Sequence, residues 1–411
     1  MLIRLTTAVA LSGVFAVSSA QAQPFDHRGF VEAQVFGFPE QSANDTTRVI
    51  GDVLIREEIF IDPARWLQLA VGVDLRANSH DQVTDSWDLI VDDRGVLRPR
   101  LAVRRLAATI RAGRLTLDLG KQFIRWGRTD ILNPTDRFAP EDFLNVIDTE
   151  FLPVLAVHPV LELGSETIEF VWSPRMTPSR SPLFNQRWTI LPPDAEGLVL
   201  IDGGSALPDD PQYGVRWRHA GRFDAGLSFF DGFNHLPSIQ PRLLLDQGAV
   251  ELTRVFPELR TYGGELAIPA PWFVLKGEAA YYESPSDASE EYVLYVVEIE
   301  RLVGEWLIAA GYAGEFVVDS RPEFLFSPER GVARSLVAHV SYTVDPQQTF
   351  ALEGAARQDG SGVYAKAEYS RTFGQHWRLT FTGVGITGDE DDFLGQFRQN
   401  SHGSAALRFS F

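Results

Sequence analysis

The 411-residue chain contains no cysteine. An exported protein can draw stability from disulfides, so this one needs another source. Beyond its first 22 residues it also lacks any long apolar run, and no stretch approaches the roughly 18 uncharged residues that a membrane-crossing helix requires. Mean hydropathy is −0.08 although 45% of residues are hydrophobic, which excludes a bundle of membrane helices. Positive charge is scarce. The 37 Lys and Arg stand against 55 Asp and Glu, for a formal net charge of −18. That balance argues against nucleic acid as a partner, because phosphate binding calls for a basic surface. Catalytic and metal-binding signatures are missing too. The eight histidines are scattered and show no ligand spacing. His339 with Ser335 and Ser341 is the nearest approach to a nucleophile and base on one strand face, but it has no third member. There is no G-x-S-x-G elbow. The sequence therefore predicts no catalytic residue, no metal and no cofactor.

What is present is periodicity. Residues 1–22 read as a signal peptide, with Arg4, the apolar stretch Ala8 to Val17 and the site Ala20-Gln21-Ala22, so export is expected. Residues 23–411 read as one domain of alternating segments. In 66–77, Leu67, Leu69, Val71, Val73 and Leu75 share one face, against Gln68, Gly72, Asp74 and Arg76. In 272–282, Leu275, Ala279 and Tyr281 oppose Lys276 and Glu278. Period two marks strands that are apolar on one side. Such segments recur near 29–37, 49–61, 66–77, 98–111, 114–124, 154–161, 165–173, 212–219 and 222–231. They continue near 258–268, 272–283, 291–302, 304–314, 331–343, 347–357, 362–371, 376–387 and 403–411. Their connections alternate between short and long. The expected fold is all-β: a transmembrane antiparallel β-barrel of about 18 strands (range about 14–18), with short periplasmic turns and long extracellular loops. A closed sheet has no free edge, which supplies the missing stability. Trp66, Trp217, Trp272, Trp306 and Trp377 sit beside the short turns, as an interfacial girdle requires.

The last strand, His402 to Phe411, places Ala405, Leu407, Phe409 and Phe411 on one face and ends on an aromatic. It resembles the closing strand of bacterial outer-membrane barrels, where such an ending is read by the barrel-assembly machinery. The resemblance implies an outer-membrane location, in contact with lipid and lipopolysaccharide. In 120–152, Gly120-Lys121-Gln122, Trp126-Gly127 and Asn133-Pro134-Thr135-Asp136 match a G-[RK]-Q…W-G…N-P-x-D pattern. That segment resembles a broad, uncharacterised group of outer-membrane porin-like barrels. The expected function is a porin-like channel for small solutes. Some members of the group look like accessories of inner-membrane exporters of lipid or hydrophobic solutes. The alternative is thus an outer-membrane partner of such a system, with a periplasmic or inner-membrane transporter as its contact; an outer-membrane hydrolase ranks below both.

Two sets of residues follow. Charges on the non-lipid faces should line a wet lumen: Asp74, Arg76, Arg216, Lys276, Glu278, Glu298, Glu353, Arg357, Lys366, Glu368 and Arg378. Each would cost roughly 2–4 kcal/mol in mid-membrane if it were Arg or Lys facing lipid. By similarity to general porins, the third outer loop, 125–153, is expected to fold inward as a constriction. Its charges Arg125, Arg128, Asp130, Asp136, Arg137, Glu141 and Asp142 would then set the field. The alternative is a surface loop pinned to the rim. The proline-rich loop 174–211 is read as a stiff external loop, and the acidic run 388–392 as a solvated one rather than a calcium site.

Overall fold

The computed structural model describes residues 25–411 except 190–198, 245, 247, 286–288 and 322–325. The expected signal peptide lies outside the described residues. Eighteen strands close into one antiparallel barrel. They are β1 (Phe25–Gly37), β2 (Val49–Ala64), β3 (Leu67–Asn78), β4 (Leu101–Ala112), β5 (Leu115–Gln122), β6 (Val154–Leu163), β7 (Glu166–Ser173), β8 (Gln212–Ala220) and β9 (Asp224–Phe233). The rest are β10 (Glu258–Pro269), β11 (Val274–Glu283), β12 (Glu291–Val303), β13 (Trp306–Asp319), β14 (Ser335–Asp345), β15 (Gln348–Arg357), β16 (Val363–Phe373), β17 (Trp377–Thr387) and β18 (His402–Ser410). Each pairs with its neighbours in sequence, and β18 closes onto β1 from Phe30↔Ser410 to Gly37↔Gly403. All eighteen predicted segments are strands. β1 starts at Phe25 rather than at 29 because Asp26 and His27 still pair with Phe60 and Ile59.

Alternation sorts the side chains. Leu227, Leu336, Phe316 and Leu352 point outward with half or more of their surface exposed, as do many other large apolar residues. Such an apolar surface belongs against lipid. The five tryptophans named above are all outward at the short-turn end. A tyrosine set, with Tyr262 stacked on Tyr281 and Tyr295 beside Tyr312, lies nearer the long-loop end.

Two features depart from simple alternation. A register shift opposite Gly72 and Val73 bulges β4, so that Arg104 and Arg105 both turn inward. Both stack on Phe123, and they approach Asp74 and Glu58. The expectation that charges keep to one face also fails at Glu57, which is outward on β2. There it pairs with His27 at 3.1 Å, and its carboxylate meets the ring of the C-terminal Phe411 over Gly29. The partner and the ring shield it.

The two faces predict opposite responses to one side chain. Leu352→Arg, outward at mid-strand, should destabilise the barrel by about 2–4 kcal/mol. Thr380→Arg, inward on β17, should cost less than about 1 kcal/mol. Urea-dependent folding into lipid vesicles measures both.

Candidate functional site

The third loop (123–153) leaves β5 and enters the barrel. Its start is set by the segment singled out in the sequence. Gly120 (φ 110°) and Gly127 (φ 98°) adopt left-handed backbone that an L side chain would strain. Between them, Lys121 donates to the Val91 carbonyl at 2.7 Å and pairs with Asp93 at 2.7 Å. Gln122 donates to the Ala156 carbonyl. Trp126, Phe138 and Phe230 then stack edge-to-face, with centroids 5.3 and 5.2 Å apart. Gly214 on the wall makes room for them, since a Cβ there would sit 2.4 Å from Phe138.

The loop is docked through its backbone. Glu278 on β11 accepts from the Arg128 amide (2.7 Å), the Thr129 amide (3.3 Å) and the Thr135 amide (2.9 Å), and from both threonine hydroxyls. Glu298 on β12 accepts from the Asp130 amide, Lys276 pairs with Asp130 at 2.5 Å, and the Tyr282 hydroxyl donates to the Pro134 carbonyl. These interactions correct the expected lumen lining. Lys276, Glu278 and Glu298 face inward but are buried beneath the loop. Arg216 is likewise buried, against Glu265 at 2.6 Å and Glu169 at 3.7 Å. Asp74 is held by Arg56 at 2.7 Å, and Arg357 by Asp359, Asp392 and the Gly331 carbonyl.

Six of the seven loop charges are held in ion pairs, Glu141 being the exception among the described residues, and Arg125 and Asp130 stay about half exposed. Arg125 pairs with Asp136 at 2.5 Å and lies over the Phe151 ring. Arg128 reaches Asp224, and Arg137 reaches Glu329. Asp142 is bracketed by Arg98 at 2.9 Å and Arg180 at 3.0 Å. Burial disfavours its ionised form, but the two guanidiniums outweigh that and hold it below the usual carboxylate range. Burial prevails at two others, raising Asp136 to about 6 and Glu141 to about 7. The acids of this loop that border the cavity beside β1–β3 are Asp148 and Glu150, outside the predicted set; they are ordinary acids in sequence, with no motif to mark them. Glu150 contacts Arg76 at 2.6 Å and Arg56 at 3.3 Å. Against its burial, those arginines lower it to about 2.

The first part of the fourth loop also turns inward, against the reading of a stiff external loop. Arg180 binds Asp142 and Asp93, while Arg187 donates to the Thr47 carbonyl and lies over Phe38 at 3.8 Å. Pro192 and Pro193 lie outside the described residues. The acidic run is not simply solvated either: Asp392 is buried, pairs with Arg357 and accepts from the Leu394 amide.

Two neighbouring cavities border the inward-folded loops among the described residues. The lower, of about 390 Å³, lies between β1–β3 with β16–β18 on one side and residues 144–150 with 186–188 on the other. Arg76, Lys366, Glu368 and Arg378 of the predicted set border it, together with Arg408. Arg378 and Arg408 are cross-strand neighbours. Arg408 is engaged by Glu32 at 2.7 Å, whereas Arg378 has no ion-pair partner among the described residues. The strand wall thus carries four basic side chains together with Glu32, Asp52 and Glu368, and Asp148 and Glu150 lie on the loop side. The upper cavity, of about 760 Å³, is formed mainly by loops and has Glu353 on its border. Ile147, Thr149 and Trp188 border both.

No family model and no curated protein matches this chain. Solved structures do match its fold. A BenF-like porin from Pseudomonas fluorescens Pf-5 aligns with a TM-score of 0.57 at 11% identity, covering 94% of this chain and 97% of that one. OpdK from Pseudomonas aeruginosa, solved with vanillate, gives 0.52 at 12% identity, covering 94% and 98%. OccAB4 from Acinetobacter baumannii gives 0.54 at 10% identity, covering 94% and 97%. The fold is therefore that of an 18-stranded porin barrel.

Removing the Glu278 acceptor by Glu278→Leu leaves buried loop donors unpaired, so amide exchange at Arg128, Thr129 and Thr135 should accelerate at least about 100-fold. The raised Glu141 predicts a pH effect. The folded state holds this proton up to about 7, whereas the unfolded chain releases it near the ordinary glutamate value of 4.5. Its contribution to stability is full below 4.5 and is lost as pH rises through about 7. The melting temperature in detergent should therefore fall from mildly acid to mildly alkaline pH, and Glu141→Gln should reduce that fall.

Proposed function

We propose that this protein is a porin-like channel of the outer membrane that passes small solutes, with the long loops outside and the short turns in the periplasm. The observation that carries this reading is the lower cavity. The inward-folded loop fills the side of the barrel along β7–β12 but leaves a charged space beside β1–β3 and β16–β18. Charges of both signs around a narrow aqueous space orient and select solutes. The Gly120 to Asp136 segment supports membership of the porin-like group it resembles, because its residues make the turn into the lumen. OpdK, a barrel of the same fold, has been solved with vanillate, an aromatic carboxylate. Arg378, which has no ion-pair partner among the described residues, lies beside Arg408 and would favour an anionic head group here too. Outer-membrane lipid and lipopolysaccharide would surround the barrel, and the assembly machinery would read its last strand. No step in this reading calls for an enzymatic residue. The apolar upper cavity also suits the second reading, an export partner for hydrophobic cargo, which would be electrically silent.

Purified protein in planar bilayers should give a stable ohmic current with anion preference, reversed by Arg378→Glu with Arg408→Glu. A silent protein would reject the channel. Deleting 128–150 should enlarge the single-channel current; an unchanged size would reject the loop as the constriction.

A further inference from the structure

We infer that the upper cavity is a capture site for the apolar body of an amphipathic organic anion, whose head group then enters the lower passage. This inference rests on the channel reading and names its substrate class. The cavity has the volume of a small-molecule site, about 760 Å³. Its border draws apolar side chains from five separate loops, among them Ile131, Phe184, Leu252, Val332 and Phe397. Loops at an aqueous mouth have no folding reason to converge such residues on open space, and apolar walls repel hydrated ions. Apolar surface leaving water there is stabilised in proportion to its area.

The floor of the cavity provides the polarity switch. Glu353 is the only charged residue on its border among the described residues, and it is already engaged. The Tyr364 hydroxyl donates to it at 2.8 Å, Lys366 lies 3.6 Å away and His339 3.8 Å away. The Lys366 ammonium offsets part of its charge, and the next charged groups down the strand wall are Lys366, Glu368 and, nearer the turns, Arg378. Because Ile147, Thr149 and Trp188 border both spaces, a solute can keep its apolar end above while its anionic end descends.

A homologous carboxylate series tests this. Acetate, butyrate, hexanoate and octanoate are added to the open channel in a planar bilayer, and the concentration giving half-block of the current is read. Block should strengthen about two- to fourfold per added methylene. Leu252→Asn and Val332→Asn should flatten the series, read as half-block relative to each variant's own unblocked current. The wild-type series decides by itself should either variant fail to fold. A flat wild-type series with a normal current overturns the capture site and leaves the channel standing; absence of current overturns the channel. A series of alkylamines that blocks as strongly as the carboxylates overturns the anionic head group.

Discussion

One carboxylate organises the interior. Glu278 projects from β11 into the barrel and gathers donors from three amides and two hydroxyls of a loop that starts several strands away. A buried carboxylate is tolerable only when its lone pairs are met, and a loop crossing a barrel is tolerable only when its amides are met. Each need answers the other. Glu298, Lys276 and Tyr282 extend the same dock along neighbouring strands. Once the loop is fixed there, one side of the lumen is solid and the other is open, and every later feature of the passage follows from that division.

The charges divide along the same line. Those that hold the loop are matched by opposite charges: Asp142 between two arginines and Arg137 on Glu329, all buried but Glu329, and the half-exposed Arg125 on the buried Asp136. Those left to act on a solute are few, and they sit where the loop swings back toward β1–β3. Arg378, Lys366 and Glu368 stand on the wall, with Asp148 and Glu150 opposite. A buried pair contributes little field outside itself, so the number of charges in the loop says little about the field in the passage. The field depends on which of them remain incompletely matched.

The fourth loop shows the same economy. Arg180 bridges Asp142 of the third loop to Asp93 of the second, so three loops meet in one buried cluster. Above that cluster the loops turn apolar side chains inward. The mouth is therefore oily over a passage that is ionic, which is the reverse of what a uniformly wet pore would show.

Sequence alone determined the barrel. Period two, the alternation of short and long connections and the closing aromatic strand located all eighteen strands, because lipid on one face and polar interior on the other act on each strand separately. It also marked the Gly120 to Asp136 segment, whose two positive-φ glycines and buried Trp126 are local necessities. Local rules could separate inward from outward at mid-strand, though not at Glu57, whose cover comes from Phe411 at the far end of the chain. They could not separate inward and wet from inward and buried. Lys276 and Lys366 look alike in sequence, yet one lies under the third loop and the other borders the passage. Only the tertiary structure decided that, because the burial of a strand residue depends on where a distant loop comes to rest.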